Sequence, residues 1–232
     1  MPDIANPVQN VTFPSNGDEA YGYLALPPSA SGRGVIVIQE WWGLTSHIAH
    51  MADRLAGEGY VALAPDLYGG ATTHDEEEAL RLLLEIPVDR AARDLHGAVE
   101  YLFSRDEVVG ETMGVVGFCM GGSFALQLAV QEGGKVAAAV AFYPIGYLPD
   151  DYAGMQAEVL IHIPDGDKIN PPTLADELAE KISAGTGTKP EIDHYPAGHA
   201  FLNEEDLLGT YDAEQAKIAW DRTVAFLRVH LG

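Results

Sequence analysis

The sequence is poor in cysteine and in basic residues. Cys119 is its single cysteine, so no disulfide can form within the chain, and the thiol is either a buried apolar side chain or a reactive group. Thirteen Lys and Arg stand against 35 Asp and Glu, for a formal net charge of −22. This balance argues against binding to nucleic acid or to an anionic membrane surface, because both depend on Lys and Arg. We interpret the acidity as a solvated surface, because the acidic residues are spread along the chain.

Long hydrophobic runs are also lacking. No apolar stretch approaches the about 20 residues that span a bilayer, and the first residues, MPDIANPVQN, lack the charged start and apolar run of a signal peptide. We therefore expect a cytoplasmic protein, and the sequence does not distinguish a monomer from a homodimer. Because no repeat or break in composition divides the chain, we expect a single domain over residues 1–232.

Strand-like and helix-like segments alternate along most of the chain. Residues 8–13 and 20–26 flank the turn signal Asn16-Gly17 and predict an N-terminal antiparallel hairpin. Further strands are predicted at 35–38, 60–65, 113–118, 136–142, 159–163 and 191–195. Helices are predicted after 45 or 46, at 75–85 and 89–103 with Asp75 and Asp89 as caps, at 121–130, from the cap Asn170 and Pro171 to 182, and at 213–231. This pattern predicts an α/β fold with a mostly parallel central sheet, helices on both faces and no lid domain.

The segment Gly117-Phe118-Cys119-Met120-Gly121 lies between a predicted strand and a predicted helix. It matches the nucleophile elbow G-x-S-x-G with Cys in place of Ser. Glycines suit this position because so tight a turn brings the backbone close to neighbouring chain. The N–H of Met120, at the start of a helix, can stabilise an oxyanion, and the same helix end favours a thiolate at Cys119. The alternative is a structural cysteine at a strand end.

An elbow predicts an acid and then a histidine later in the chain. Asp165 and Asp167 both follow the strand at 159–163, and spacing alone does not choose between them. His199 follows the last strand in a loop that contains Gly198, from which it can reach back to the thiol.

The other histidines offer weaker candidates for catalysis. His47 and His50 form H-x-x-H, but neither Cys nor an acidic residue lies beside them at the spacing of a metal site. His162 lies inside an apolar strand, so we assign it to the core.

Glu40 stands at the end of the strand at 35–38. A glutamate after buried aliphatic residues is costly unless it has a partner, and an acid at a strand end beside a nucleophile is typical of a functional site. The alternative is a Glu whose side chain reaches solvent.

These motifs together resemble the dienelactone hydrolase family, carboxymethylenebutenolidase-like members of the α/β-hydrolase superfamily. The resemblance runs from about residue 8 to 230, with the landmarks V-I-V-I-Q-E-W-W-G (35–43), A-P-D-L-Y (64–68), G-F-C-M-G-G (117–122), G-D (166–167) and G-H-A-F (198–201). It implies a triad of Cys119, Asp167 and His199. It also implies that Glu40 pairs with the resting cysteine and that the N–H of Trp41 joins that of Met120 in an oxyanion hole.

The resemblance implies hydrolysis of a small-molecule ester or lactone through a thioester acyl-enzyme, with neither a metal nor an organic cofactor. Aromatic residues near strand ends are candidates for an apolar substrate pocket, although core packing explains each of them equally well. They are Trp42, Tyr68, Phe118 and Tyr143.

The chain departs from the namesakes of the family at the arginines that hold a substrate carboxylate. Asn203 stands where one of them is expected, and the region of the other reads acidic at 75–78, with Arg81 and Arg90 as the nearest basic residues. A neutral ester therefore fits the sequence better than an acidic lactone does.

Three rival functions remain at this point. The chain could be a non-catalytic hydrolase scaffold that binds a ligand or senses oxidants through Cys119, another acyl enzyme such as a thioesterase or peptidase, or a binding module for a cationic partner. The presence of a nucleophile, an acid, a histidine and a strand-end Glu together favours catalysis.

Overall fold

A computed structural model describes residue 6, residues 8–171 and residues 173–232. This part of the chain contains eight β-strands and six α-helices. The chain divides into two compact units, the first ending at Met113 and the second running from Gly114 to Gly232. A single domain over residues 1–232 stays a prediction.

The first unit combines an antiparallel hairpin with a parallel strand pair. Its elements are β1 (Val11–Ser15), β2 (Asp18–Ala25), β3 (Gly34–Ile38), α1 (Ser46–Gly57), β4 (Val61–Pro65), α2 (Glu76–Glu85) and α3 (Val88–Phe103). The strand order is β1-β2-β4-β3, with β2 antiparallel to both neighbours and β3 parallel to β4. Asn16 and Gly17 close the hairpin with φ values of 47° and 95°, as a two-residue hairpin turn requires. The predicted N-terminal hairpin is confirmed.

The second unit carries the remaining strands in the order β5-β6-β7-β8. Its elements are β5 (Met113–Phe118, of which Met113 belongs to the first unit), α4 (Met120–Glu132), β6 (Val136–Phe142), β7 (Glu158–Pro164), α5 (Leu174–Thr186), β8 (Glu191–Tyr195) and α6 (Ala213–Leu231). β7 is parallel to both β6 and β8, while α4 packs on β6 and α6 packs on β6 and β7. The predicted α/β fold with mostly parallel strands is confirmed.

Two predicted helix caps are wrong. α3 begins at Val88 after Pro87, so Asp89 lies within its first turn rather than before it. α5 begins at Leu174 after Thr173, so its cap lies three residues later than the one predicted at Asn170. The cause in the second case is Asp167, whose Oδ1 accepts the backbone N–H of Ile169 and of Asn170 and holds this stretch as a turn. By contrast, Asp75 caps α2 as predicted, because its side chain accepts the N–H of Glu78.

His162 is a core residue, as predicted. Its ring is fully buried in β7, with Nδ1 2.7 Å from the hydroxyl oxygen of Tyr195 and Nε2 2.9 Å from that of Thr223. Thr223 donates its own proton to the carbonyl oxygen of Ala219, so Nε2 of His162 carries the proton and Nδ1 accepts one. Burial, helped by the charge of Arg222, lowers the pKa of His162 to about 3 and keeps the ring neutral.

The helices of the described residues include none that is both long enough and apolar enough to cross a membrane.

Gly97 generates a test of packing within the first unit. A Cβ at this position of α3 would lie 2.5 Å from the carbonyl oxygen of Pro14 in β1. Because this oxygen belongs to the backbone of a strand, it cannot easily move away. We expect Gly97→Ala to lower the free energy of unfolding by about 1–3 kcal/mol. Gly57, at the end of α1, has open space around its Cβ position. Gly57→Ala is therefore the matched control and should be neutral or stabilising by up to about 1 kcal/mol. The free energy of unfolding of both variants is measured by urea unfolding, and equal losses in the two would contradict this account.

Candidate active site

The turn between β5 and α4 holds Cys119 in an unusual backbone conformation. Its φ is 57° and its ψ is −120°, a strained combination for a residue with a side chain. The neighbouring glycines explain how the chain reaches it. A Cβ on Gly117 would lie 1.9 Å from the carbonyl oxygen of Gly121, and one on Gly122 would lie 2.9 Å from that of Phe142. Only glycine permits both close approaches.

Hydrogen bonds fix the backbone of Cys119 on both sides. Its N–H donates to the carbonyl oxygen of Phe142 over 3.0 Å, and its own carbonyl oxygen accepts the N–H of Gly122 at 2.9 Å and of Ile145 at 3.3 Å. Met120 is the first residue of α4, so the thiol belongs to the residue that caps this 13-residue helix. The positive end of the helix dipole favours negative charge there.

His199 lies between the thiol and a carboxylate. Its Nε2 is 3.3 Å from Sγ of Cys119, and its Nδ1 is 2.8 Å from Oδ2 of Asp167. All three side chains are nearly inaccessible to solvent: Cys119 is 2% exposed, His199 is 4% exposed, and the side chain of Asp167 is 6% exposed. One imidazole ring therefore contacts both a thiol and a carboxylate, the arrangement that a catalytic triad requires.

The two carboxylates that the sequence leaves as alternatives have different partners. Asp165 contacts Nδ1 of His194 over 2.7 Å, and both of these side chains are more than half exposed. Asp167 is the one that contacts His199.

Asp167 accepts more hydrogen bonds than the one from the histidine. Its Oδ1 accepts the N–H of Ile169 at 2.8 Å and of Asn170 at 3.2 Å, and its Oδ2 accepts the side-chain amide of Asn170 at 3.1 Å. Burial alone would raise the pKa of this carboxyl, but the hydrogen bond and charge of His199 and the backbone donors together lower it. Sequence reasoning missed the contact from Asn170, since it assigned that residue to a helix cap.

The same interactions favour the protonated form of His199. Burial works against the imidazolium, but a thiolate charge at Cys119 and the hydrogen bond to Asp167 outweigh it and raise the pKa of His199 to about 10.

The loop around His199 is held from two sides. The hydroxyl of Thr210 donates to the carbonyl oxygen of His199 over 2.5 Å, and a Cβ on Gly198 would come within 2.8 Å of the Thr210 side chain. The ring of Tyr143 packs against the imidazole at 5.0 Å between centroids, tilted by 60°.

The remaining predicted site residues are placed as follows. Phe118 and Tyr143 are fully buried in the second unit, where Phe118 stacks on Phe142. In the first unit, Glu40 and Trp42 are buried, Trp41 packs edge-on against Trp42, and Tyr68 is partly exposed. Their functional roles stay predictions.

Arg81, Arg90 and Asn203, where the chain departs from the family pattern, all contact neighbouring residues. Arg81 pairs with Glu78 and Glu85 along α2, and Arg90 pairs with Asp94 over 3.4 Å. Asn203 is buried, and its side-chain oxygen accepts the N–H of Glu205.

Comparison with known proteins agrees with the motifs. The family model described as "Dienelactone hydrolase family" matches residues 20–231. "Protein usf" from Aquifex pyrophilus is 32% identical over 96% of this chain and 99% of its own length. A provisionally named carboxymethylenebutenolidase from Aquifex aeolicus is 31% identical with the same coverage of both chains.

Structural comparison points the same way. A crystal structure from Klebsiella pneumoniae, provisionally named a dienelactone hydrolase, superposes with a TM-score of 0.83 at 29% identity, covering 94% of this chain and 96% of that one. Est1E from Butyrivibrio proteoclasticus, at 14% identity and a TM-score of 0.69, shares the fold over 94% of this chain and 100% of its own. With the family match spanning nearly the whole chain, the protein belongs to the dienelactone hydrolase family and is a hydrolase that acts on ester or lactone bonds.

Proposed function

We propose that the chain cleaves small-molecule esters or lactones with Cys119 as nucleophile, His199 as general base and acid, and Asp167 as the residue that orients His199. The observation that carries this proposal is the continuous line of contacts from Asp167 through His199 to the thiol, 2.8 Å and 3.3 Å long. Both distances suit proton transfer and orientation without a large movement.

The first half of the reaction forms a thioester. His199 takes the proton of the Cys119 thiol, and the thiolate attacks the carbonyl carbon of the substrate while the electron pair of the C=O bond moves to oxygen. The N–H of Met120, at the start of α4, donates to this oxyanion. When the tetrahedral intermediate collapses, the C–O bond breaks and His199 protonates the departing alkoxide. In a lactone this alcohol stays attached to the acyl group.

The second half regenerates the enzyme. His199 removes a proton from water, and the resulting hydroxide attacks the thioester carbonyl. Breaking the C–S bond releases the carboxylic acid and leaves the electron pair on the sulfur of Cys119, which takes up the proton that His199 holds.

The roles proposed for Glu40 and Trp41 depend on the family resemblance. Glu40 would favour ionisation of the thiol, and the N–H of Trp41 would complete the oxyanion hole. A neutral substrate is favoured, because Arg81 and Arg90 are engaged by acids on their own helices and Asn203 carries no charge.

Removing either reactive group tests the proposal. We expect Cys119→Ala and His199→Ala to lower kcat for p-nitrophenyl acetate and for a simple lactone about a thousandfold or more. Cys119→Ser should also be strongly impaired, because a hydroxyl is far less acidic than a thiol. Thermal unfolding of each variant controls for loss of fold. Wild-type protein inactive on every ester and lactone, or variants as active as wild type, would instead favour a thiol sensor or a binding protein.

The choice between the two carboxylates gives a matched pair of variants. Asp167→Asn should lower kcat by about 10³- to 10⁴-fold, because an amide cannot hold His199 in the orientation and tautomer that accept the thiol proton. Asp165→Asn should change kcat by less than about twofold, because Asp165 pairs with the exposed His194. Equal losses in the two variants would contradict the assignment of Asp167.

The titration of His199 supplies a test that does not depend on substrate. Since its pKa is raised from 6.5 to about 10, the imidazolium contributes stability fully below pH 6.5, and this contribution disappears as the pH rises through about 10. Activity that needs the thiolate–imidazolium pair should fall over the same alkaline range. NMR of ring-labelled histidine, assigned with His199→Ala, should place the His199 titration at clearly lower pH in Cys119→Ala, where the thiolate charge is absent. If the pKa of His199 were the same in Cys119→Ala as in wild type, a thiolate–imidazolium pair would be contradicted.

A further inference from the structure

We propose that Asn170 is a positioning residue for the catalytic acid, a role that rests on the proposed function of Asp167. Its side-chain amide holds the carboxylate aimed at His199, and it connects the loop of the acid to the segment that anchors the nucleophile.

The amide of Asn170 has two N–H groups, and both have acceptors. One acceptor is Oδ2 of Asp167 and the other is the carbonyl oxygen of Pro144, each 3.1 Å from Nδ2. The Oδ2 atom is the same one that accepts from Nδ1 of His199. The side chain of Asn170 therefore donates to the carboxylate oxygen that orients the base, and its backbone N–H donates to the other oxygen, Oδ1.

The contact with Pro144 extends this role towards the nucleophile. Pro144 lies between Tyr143, whose ring packs on His199, and Ile145, whose N–H donates to the carbonyl oxygen of Cys119. A single side chain thus joins the loop after β7, which carries the acid, to the segment after β6, which braces both other members of the triad.

A purely local role for Asn170 does not explain these contacts. The amide does not cap α5, because that helix begins at Leu174 after Thr173. Its partners lie 3 and 26 residues away in sequence, and one of them is the buried carboxylate of the site.

The surroundings make the amide hard to replace. A cavity of about 100 Å³ lies beside it, lined by residues that include Asp165, Asp167, Asn170 and Leu174. Truncating Asn170 would enlarge this space next to the carboxylate. A water molecule there could accept and donate hydrogen bonds. It would not fix the direction of Oδ2, as an amide does that donates to two acceptors at once.

Two variants and a control test the proposal. Asn170→Ala removes the donor, and the nearly isosteric Asn170→Asp replaces it with an acceptor that repels Asp167. Ile169→Ala is the matched control: its side chain is about half exposed, and its backbone N–H still bonds Asp167. Steady-state kinetics with p-nitrophenyl acetate across pH is combined with carbon-13 NMR of the Asp167 carboxyl, assigned with Asp167→Asn. Thermal unfolding identifies any variant that fails to fold.

The expected effect falls on kcat and on the acidic side of the pH profile. Asn170→Ala should lower kcat about tenfold with little change in KM, because a hydrogen bond to an ionised group is lost. The lowered pKa of Asp167 should rise in both variants, and further in Asn170→Asp, so that activity is lost at a higher pH as the solution is acidified. Ile169→Ala should keep the wild-type values.

The outcomes separate this proposal from the proposed function. Wild-type kcat and an unchanged Asp167 titration in both Asn170 variants would overturn the positioning role while leaving the triad intact. An equal loss of kcat in Ile169→Ala would also overturn it, since the effect would then belong to the loop as a whole. If turnover by wild type did not require Cys119 and His199, the proposed function would fail, and the carboxyl titration would still show whether Asn170 controls Asp167.

Discussion

The close approach of Gly117 to the carbonyl oxygen of Gly121 is the constraint on which the site depends. Because no side chain fits at 117, the strand can turn directly into α4, and the turn forces Cys119 to a φ of 57°. Hydrogen bonds to Phe142 and from Gly122 and Ile145 offset this strain. The result is a thiol fixed at the start of a helix, to which the other groups must be brought.

Parallel neighbouring strands bring those groups together. β7 and β8 run in register from Leu160 opposite Glu191 to Pro164 opposite Tyr195, so their following loops leave the same edge side by side. Backbone hydrogen bonds continue beyond the strands, since the N–H of Gly166 donates to the carbonyl oxygen of Ala197 over 2.9 Å. Residues 32 positions apart in sequence can therefore meet as Asp167 and His199 do.

Local sequence signals predict most of the fold and select the residues of the candidate site, but not which of its carboxylates contacts His199. Continuous apolar runs mark β5 and β6 at the bounds found in the structure, and the elbow motif singles out Cys119. Spacing cannot choose between Asp165 and Asp167, because that choice depends on which histidine each carboxylate meets across the strand pair. Asn170 followed by proline satisfies the local rule for a helix start, yet the turn in which Oδ1 of Asp167 accepts the backbone N–H of Ile169 and Asn170 overrides it.

The carboxylate of Asp167 both shapes its own loop and contacts His199. Its Oδ1 folds the turn at 167–170 by accepting two backbone N–H groups, and this fixes the direction in which Oδ2 points. In the proposed mechanism, Oδ2 then orients His199 without any movement when charge develops on the ring, which is the condition for electrostatic preorganisation. The same carboxylate that displaced the predicted start of α5 therefore contacts His199. For this reason one of the two positions where the local rule for a helix start fails, Asn170, lies beside the site.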